Sequence, residues 1–158
     1  RAQGQAINDT VRKDSICWIE NNSRACQQWL DWAAKLQRCL NEQLFLGLFS
    51  FESHFAHYSA GDFYRRHLDA FKGQKNRILS VVVYLNPDWS QEDGGELVLY
   101  ASQRKPKEIN IAPVHRTLVL FLSEDFEHEV LPARCDRFSI AGWFRSNSSH
   151  AARPDPPS

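Results

Sequence analysis

The chain of 158 residues contains no methionine, only four cysteines and no excess charge of either sign. Lysine plus arginine and aspartate plus glutamate each total 19, so no overall field draws the protein to nucleic acid or to an anionic membrane. No apolar run approaches the roughly 20 residues that span a bilayer. We therefore expect neither nucleic acid nor a membrane as a partner. No signal-peptide pattern opens the chain, but no methionine opens it either, so the removal of a leader stays open.

The cysteines are too few for a disulfide framework in a chain of this length. Cys17, Cys26, Cys39 and Cys135 share no C-x-x-C spacing. We predict free thiols in a reducing cytoplasm, with Cys26 and Cys39 as small core residues of a helix. No motif reports on the oligomeric state, and the expected state is a monomer.

The first third of the chain has a helical pattern. Asp9 or Asp14 could start a short helix that carries Ile16 and Ile19, and Ser23 is a plausible N-cap for a longer one. Behind Ser23 the apolar residues recur every three or four positions, at Cys26, Trp29, Leu30, Ala33, Leu36, Leu40 and Leu44. Such a one-faced helix must lay its apolar stripe on another element.

From about residue 46 short β-rich runs alternate with turns. The predicted strands cover residues 49–58, 77–86, 95–100, 108–112, 116–123, 128–131 and 136–145. Asp93-Gly94-Gly95 has the composition of a hairpin turn. Many strands without alternating helices predict a mainly-β jelly roll with N-terminal helices on one outer face. We expect one domain over residues 1–149, with helical support over about 9–45, a barrel over about 46–146 and a disordered tail over 150–158.

A pair of potential metal ligands lies in the stretch FYRRHLDAF. On extended backbone the side chains of His67 and Asp69 point the same way, whereas a helix would separate them by about 200°. His128, at the start of a predicted strand, is the candidate for a third ligand. Two histidines and one carboxylate leave three positions of an octahedral metal open and suit non-haem Fe(II). A tetrahedral zinc site could use the same residues, so the residue types leave the metal open.

A potential anion site follows on the last predicted strand. One face of this strand is wholly apolar and predicted to be core, with Phe138, Ile140, Gly142 and Phe144, and the other carries Arg137, Ser139, Ala141 and Trp143. An inward arginine needs an anion, because an unpaired buried charge is costly, and a guanidinium matches a carboxylate at two points. Tyr84, on the predicted strand 77–86, could add a hydroxyl to the same anion. The alternative, Arg137 at a barrel rim paired with Asp136 or Glu129, stays open on the residues alone.

Together these stretches resemble the 2-oxoglutarate- and Fe(II)-dependent prolyl 4-hydroxylase family, above all the catalytic domains of the oxygen-sensing prolyl hydroxylases and their bacterial relatives. The resemblance covers roughly residues 15–145. Its specific parts occur in the family's order: Tyr58 before a glycine-containing turn, YRRHLD at 64–69, YLNPDW at 84–89, GGEL at 94–97, and HEVLP at 128–132 followed by Arg137 and Trp143.

The resemblance implies a double-stranded β-helix and a role for each matching residue. It implies Fe(II) bound by His67, Asp69 and His128, and 2-oxoglutarate held by Arg137, Tyr84, Tyr58 and Leu97. It places Arg77, Trp143 and Tyr64 on the side of the substrate, and it makes residues 41–52 a mobile segment over the substrate. Two positions depart from the family pattern: Ala141 replaces a threonine beside the cosubstrate carboxylate, and Glu96 interrupts an apolar run and is expected to point to solvent.

The implied activity is hydroxylation of a prolyl residue at C4 in another protein, with O2 as co-substrate and ascorbate as an additional reductant. In bacterial relatives the expected target is elongation factor Tu, by family likeness alone. Two alternatives stay open: an oxygenase of a small molecule or free amino acid, and a jelly-roll binding module without turnover. The nucleic-acid demethylase branch carries a second arginine where this chain has Trp143, which disfavours nucleic-acid repair.

Overall fold

The computed structural model describes residues 11–70, 76–101 and 107–147, so the predicted tail over 150–158 lies outside the described residues. The described part contains one α-helix, one short 3-10 turn and nine strands. In chain order they are β1 (Ser15–Trp18), α1 (Arg24–Leu44), β2 (Leu48–Tyr58), β3 (Tyr64–His67), β4 (Arg77–Tyr84), the 3-10 turn (Gln91–Asp93), β5 (Leu97–Ala101), β6 (Lys107–Ile111), β7 (Leu118–Leu122), β8 (Phe126–Val130) and β9 (Arg137–Ser146).

The strands form two antiparallel sheets. The larger has the order β1-β2-β9-β4-β7 and the smaller the order β3-β8-β5-β6. A core cluster joins the inner faces of both, with Tyr58 and Tyr84 from the larger sheet and Leu97, Leu99 and Val130 from the smaller. This two-sheet architecture confirms the predicted mainly-β jelly roll.

Helix α1 braces the outer face of the larger sheet. The Ser23 hydroxyl accepts a hydrogen bond from the backbone N–H of Cys26 at 3.1 Å, which confirms the predicted N-cap. Phe45 ends the helix in a left-handed conformation, with φ of 53°. The apolar stripe packs on fully buried residues such as Phe144, and Trp29 Nε1 donates to Ser53 Oγ at 3.0 Å. No helix of the described residues is long and apolar enough to cross a membrane.

The predicted short helix around Ile16 is wrong. Residues 15–18 form the edge strand β1, with Ser15 opposite His57 and Trp18 opposite His54. The pairing with β2 outweighs the local helix signal, and the carboxylate of Asp14 bonds to Arg12 and caps no helix. Within α1 the helix turns by about 220° between Cys26 and Cys39. Cys26 is therefore buried as predicted, whereas Cys39 is exposed, contrary to the prediction.

Residues 41–52 do not form the predicted loop. Residues 41–44 complete α1 and residues 48–52 begin β2. The Asn41 side chain clamps the connection, because its Nδ2 donates to the Leu48 carbonyl and its Oδ1 accepts from the Leu48 N–H, both at 2.8 Å. This segment is therefore part of the scaffold.

The predicted hairpin at Asp93-Gly94-Gly95 is a crossing between the two sheets. It leads from β4 in the larger sheet to β5 in the smaller, so its flanking strands do not pair with each other. Gly95 has φ of +70°, and a Cβ there would lie 2.8 Å from Ala133 Cβ and 3.4 Å from Arg137 Cδ. The glycine therefore allows the crossing to pass directly against the arginine.

Candidate active site

A pocket of about 620 Å³ opens between the two sheets. Nine of the ten residues that the sequence assigns to the site line it: Tyr58, Tyr64, His67, Asp69, Arg77, Leu97, His128, Arg137 and Trp143. The tenth, Tyr84, is fully buried with its ring centroid 5.0 Å from Arg137 Cζ. The structure therefore brings all ten residues to one region of the barrel.

Three potential metal ligands meet in this pocket. His67 at the end of β3 and His128 in β8 are direct cross-strand neighbours, and Asp69 follows β3 after one residue. One ligand atom from each lies within 4.8 Å of the other two. Nε2 of each histidine is 3.5 Å from Asp69 Oδ1.

Backbone carbonyls fix the tautomers of both histidines. His67 Nδ1 lies 2.7 Å from the Arg65 carbonyl oxygen, and His128 Nδ1 lies 3.2 Å from that of Phe126. A carbonyl only accepts, so each Nδ1 must donate its proton, and each Nε2 then presents a lone pair to the pocket. Burial also lowers the pKa of His128, which favours the neutral imidazole that a metal requires.

Asp69 is held as a carboxylate with one oxygen turned to the histidines. Burial by itself would raise its pKa, but the polar side chains around the carboxylate, Ser80 among them, outweigh burial and hold the pKa well below its usual range. Ser80 Oγ donates to Asp69 Oδ2 at 2.6 Å and lies 2.9 Å from Ser123 Oγ. The two hydroxyls therefore orient the carboxylate and leave Oδ1 for a ligand.

The donor set fits a divalent metal. His67 Nε2 is buried and has no hydrogen-bond partner among the described residues, a costly state that a metal ion would relieve. Two neutral imidazoles and one carboxylate on one side of a pocket match the facial arrangement of non-haem Fe(II). The three residues that the sequence selects are thus in a metal-binding arrangement.

Arg137 lies 2% exposed at the start of β9. Its Nε donates to the Gly95 carbonyl at 3.0 Å, and its Cζ is 5.1 Å from the ring centroid of Tyr58. The Tyr84 hydroxyl is buried without a hydrogen-bond partner in the described part of the chain. A buried guanidinium beside an unpartnered hydroxyl fits a bound carboxylate.

The rim alternative for Arg137 is wrong. Asp136 instead contacts His57 Nε2 at 3.2 Å, and Glu129 accepts a hydrogen bond from the Tyr100 hydroxyl. Within the described ranges no carboxylate forms an ion pair with Arg137. The predicted apolar face of β9 holds except at Phe138, which is 44% exposed and stacks on the ring of His57.

The remaining assigned residues form the wall beside the metal ligands. Arg77 Cζ lies 3.8 Å from the ring centroid of Trp143, and its Nε and Nη2 donate to Glu52 Oε1 at 3.1 and 2.8 Å. Trp143 Nε1 is buried and has no partner among the residues described. The Tyr64 ring stacks on His67 with centroids 3.7 Å apart. The wall therefore carries an arginine held by Glu52 and a tyrosine stacked on a metal ligand.

Sequence reasoning missed part of this wall. The unassigned lining residues include Arg12, Asp14, Ile16, Trp18, His54, Ser80 and Ser139. Four of them alternate along residues 12–18, which is the period-two signal of a strand with one face on the pocket. Sequence reasoning instead predicted a short helix for these residues.

Both the sequence and the fold of this chain are similar to those of known proteins. The profile of the 2OG-Fe(II) oxygenase superfamily matches residues 53–145. The crystal structure of a Pseudomonas putida prolyl-4-hydroxylase is similar with a TM-score of 0.85 and 44% identity, over 89% of this chain and 76% of that one. A Trichoplax adhaerens prolyl hydroxylase, in complex with a hypoxia inducible factor peptide, gives a TM-score of 0.75 and 31% identity over 87% and 65% of the two chains.

The human protein Egl nine homolog 1 is 28% identical over 143 residues, which are 85% of this chain. This alignment covers 33% of the human protein, so the chain spans about a third of the length of that curated relative.

Proposed function

The chain belongs to the prolyl hydroxylases of the 2OG-Fe(II) oxygenase superfamily, and we propose on this premise that it hydroxylates a prolyl residue of a target protein at C4. The cofactor is Fe(II) and the co-substrates are 2-oxoglutarate and O2. One observation carries the proposal: a complete His-Asp-His donor set and a buried arginine without a carboxylate partner among the described residues share one pocket.

When bound, Fe(II) and 2-oxoglutarate supply the oxidation, in which one atom of O2 enters succinate, released with CO2, and the other enters the substrate C–H bond. The protein supplies the ligand geometry. His67 and His128 offer Nε2 because carbonyls hold their Nδ1 protons, and Asp69 offers Oδ1 because Ser80 holds Oδ2. No side chain needs to act as a general base in this scheme.

Four residues would bind 2-oxoglutarate. Arg137 would hold its far carboxylate at two points, with the buried hydroxyl of Tyr84 as an additional donor. Tyr58 faces the same guanidinium, and burial raises the pKa of its phenol far above the usual value, so the ring stays neutral beside the anion. Leu97, which is 2% exposed and lines the pocket, would pack along the carbon chain.

The substrate we propose is a polypeptide. Arg77, Trp143 and Tyr64 line the pocket beside the metal ligands, and the Trichoplax relative is a prolyl hydroxylase in complex with a peptide. Elongation factor Tu is the specific target we propose, on the resemblance to bacterial relatives. Ascorbate as reductant, a monomeric state and a cytoplasmic location stay expectations of the sequence.

The test is mass spectrometry of elongation factor Tu and other candidate proteins after incubation with the protein, Fe(II) and 2-oxoglutarate. We expect a gain of one oxygen on a prolyl residue, located at C4 by comparison with hydroxyproline standards. The His128→Ala variant should lose both this gain and the release of CO2 from 2-oxoglutarate. Unchanged CO2 release in this variant would contradict the ligand assignment.

The same assay separates the alternatives. Turnover of a free amino acid with no modified protein would establish a small-molecule oxygenase. Decarboxylation of 2-oxoglutarate by the iron-loaded protein would exclude a binding module without turnover.

A further inference from the structure

Residues 11–18 join the two sheets at the edge of the pocket. β1 pairs with β2 of the larger sheet, whereas the residues just before it pair with β3 of the smaller sheet. Lys13 N donates to the Phe63 carbonyl at 3.1 Å, and Arg65 N donates to the Val11 carbonyl at 2.9 Å. The strand that carries the first metal ligand is therefore flanked by this segment.

Side chains continue the contact from this segment to the metal ligand. Arg12 Cζ lies 4.8 Å from the ring centroid of Tyr64, within the range of a cation–π interaction. The Tyr64 ring in turn lies on the His67 ring, at 3.7 Å between centroids and 20° between planes. One tyrosine ring therefore contacts both a fixed cation and a histidine of the donor set.

Asp14 fixes the cation. Its two carboxylate oxygens accept from Nε and Nη2 of Arg12, each at 2.5 Å. The Asp14 side chain is 0% exposed, and that of Arg12 is 27% exposed. Two hydrogen bonds to a fully buried carboxylate therefore hold the guanidinium beside the tyrosine ring.

The His67 ring needs this support for a geometric reason. Its Nδ1 hydrogen bond to the Arg65 carbonyl favours one rotation of the ring about the Cβ–Cγ bond, but a single hydrogen bond leaves the ring some freedom around that angle. A ring stacked at 3.7 Å on the imidazole opposes that rotation. Loss of a hydrogen-bonded outer partner of a histidine ligand typically costs about 10- to 100-fold in metal affinity, and we expect the lower end of that range for a stacked ring.

We propose that Arg12 is a positioning residue of the metal centre, which, held by Asp14, keeps Tyr64 flat on His67 and so sets the direction of His67 Nε2. The inference rests on the proposed function only in that His67 binds the metal. It gives residues 11–18 a second role besides lining the pocket.

The experiment is a titration of the full chain with Co(II) alone, followed by visible absorption. Arg12→Gln should bind Co(II) roughly tenfold more weakly than the unmodified protein and show a changed Co(II) spectrum. Lys13→Gln is the matched control, because the Lys13 ammonium lies 5.9 Å from the ring centroid of Phe63, a residue outside the site. This control should keep the affinity and the spectrum of the unmodified protein.

Further variants test the proposal if Arg12→Gln fails to fold because Asp14 is left unpaired. The double variant Arg12→Gln/Asp14→Asn removes both charges and should show the same loss. Tyr64→Phe keeps the stacked ring and should bind Co(II) normally, whereas Tyr64→Leu should bind it weakly.

Normal Co(II) affinity and spectrum in the folded double variant would overturn the role of Arg12, as would an equal loss in Lys13→Gln. His67→Ala distinguishes the two levels of inference. If His67→Ala binds Co(II) normally, the metal assignment itself fails. If it loses binding while the variants of Arg12 do not, only the positioning role fails.

Discussion

Replacement of Arg137 by alanine should abolish tight binding of 2-oxoglutarate. The guanidinium is 2% exposed and has no ion-pair partner within the described residues, so a bound carboxylate would supply its counter-charge. Truncating one partner of a buried, hydrogen-bonded charge pair costs about 2–5 kcal/mol. Taking about 3 kcal/mol, the dissociation constant should rise by roughly 100-fold.

The assay is calorimetric titration of the Mn(II)-loaded protein without O2. Two ligands are compared: 2-oxoglutarate and 2-oxopentanoate, which has the same chain length but no far carboxylate. Arg137→Ala should weaken binding of the first by roughly 100-fold and leave the weak binding of the second within about threefold. The exposed Arg134 provides the control variant Arg134→Ala, which should bind both ligands normally.

Two results would refute the assignment of Arg137. One is a change below about threefold for 2-oxoglutarate in a folded variant. The other is an equal loss for both ligands, which would mean that the arginine shapes the pocket and does not bind the far carboxylate. Circular dichroism of each variant establishes that it is folded.

Three other changes test local features. Gly95→Ala should destabilise the protein by about 2 kcal/mol or more in urea unfolding, because the new Cβ would meet Ala133 Cβ at 2.8 Å with φ at +70°. Ser23→Ala should cost about 1 kcal/mol in the same measurement, through loss of the helix N-cap. The Glu129 carboxylate raises the pKa of Tyr100 to about 12, so Glu129→Gln should move one tyrosine titration in the ultraviolet towards the usual value of 10.0. The folded-state pKa is the higher one, so this contact stabilises the fold below pH 10 and is lost as the pH rises to about 12; an unmoved titration would contradict the contact.

The features that the sequence predicted well depend on residues close together in the chain. The apolar stripe of α1 and its Ser23 cap follow from neighbouring residues, and both are present in the structure. The alternation that turns Arg137 inward and the one-residue gap between His67 and Asp69 are also local patterns, and the structure places all three side chains in the pocket.

The features that the sequence did not predict depend on distant partners. β1 exists because β2, some 40 residues later in the chain, provides its hydrogen-bonding edge, and the alternation along residues 12–18 does not identify that partner. The crossing at Gly94 and Gly95 has the composition of a hairpin, and only the assignment of β4 and β5 to different sheets excludes one.

His67 and His128 are direct cross-strand neighbours, so a bound metal would link strands β3 and β8. An ion bound by both residues would bridge positions about 60 residues apart in the chain, and it would do so only where folding has brought the two histidines together. Ligand and fold are then linked by mass action, because the ion binds a geometry that only the folded barrel provides. A higher concentration of free iron would therefore raise the stability of the folded barrel as well as the fraction of protein that carries the metal.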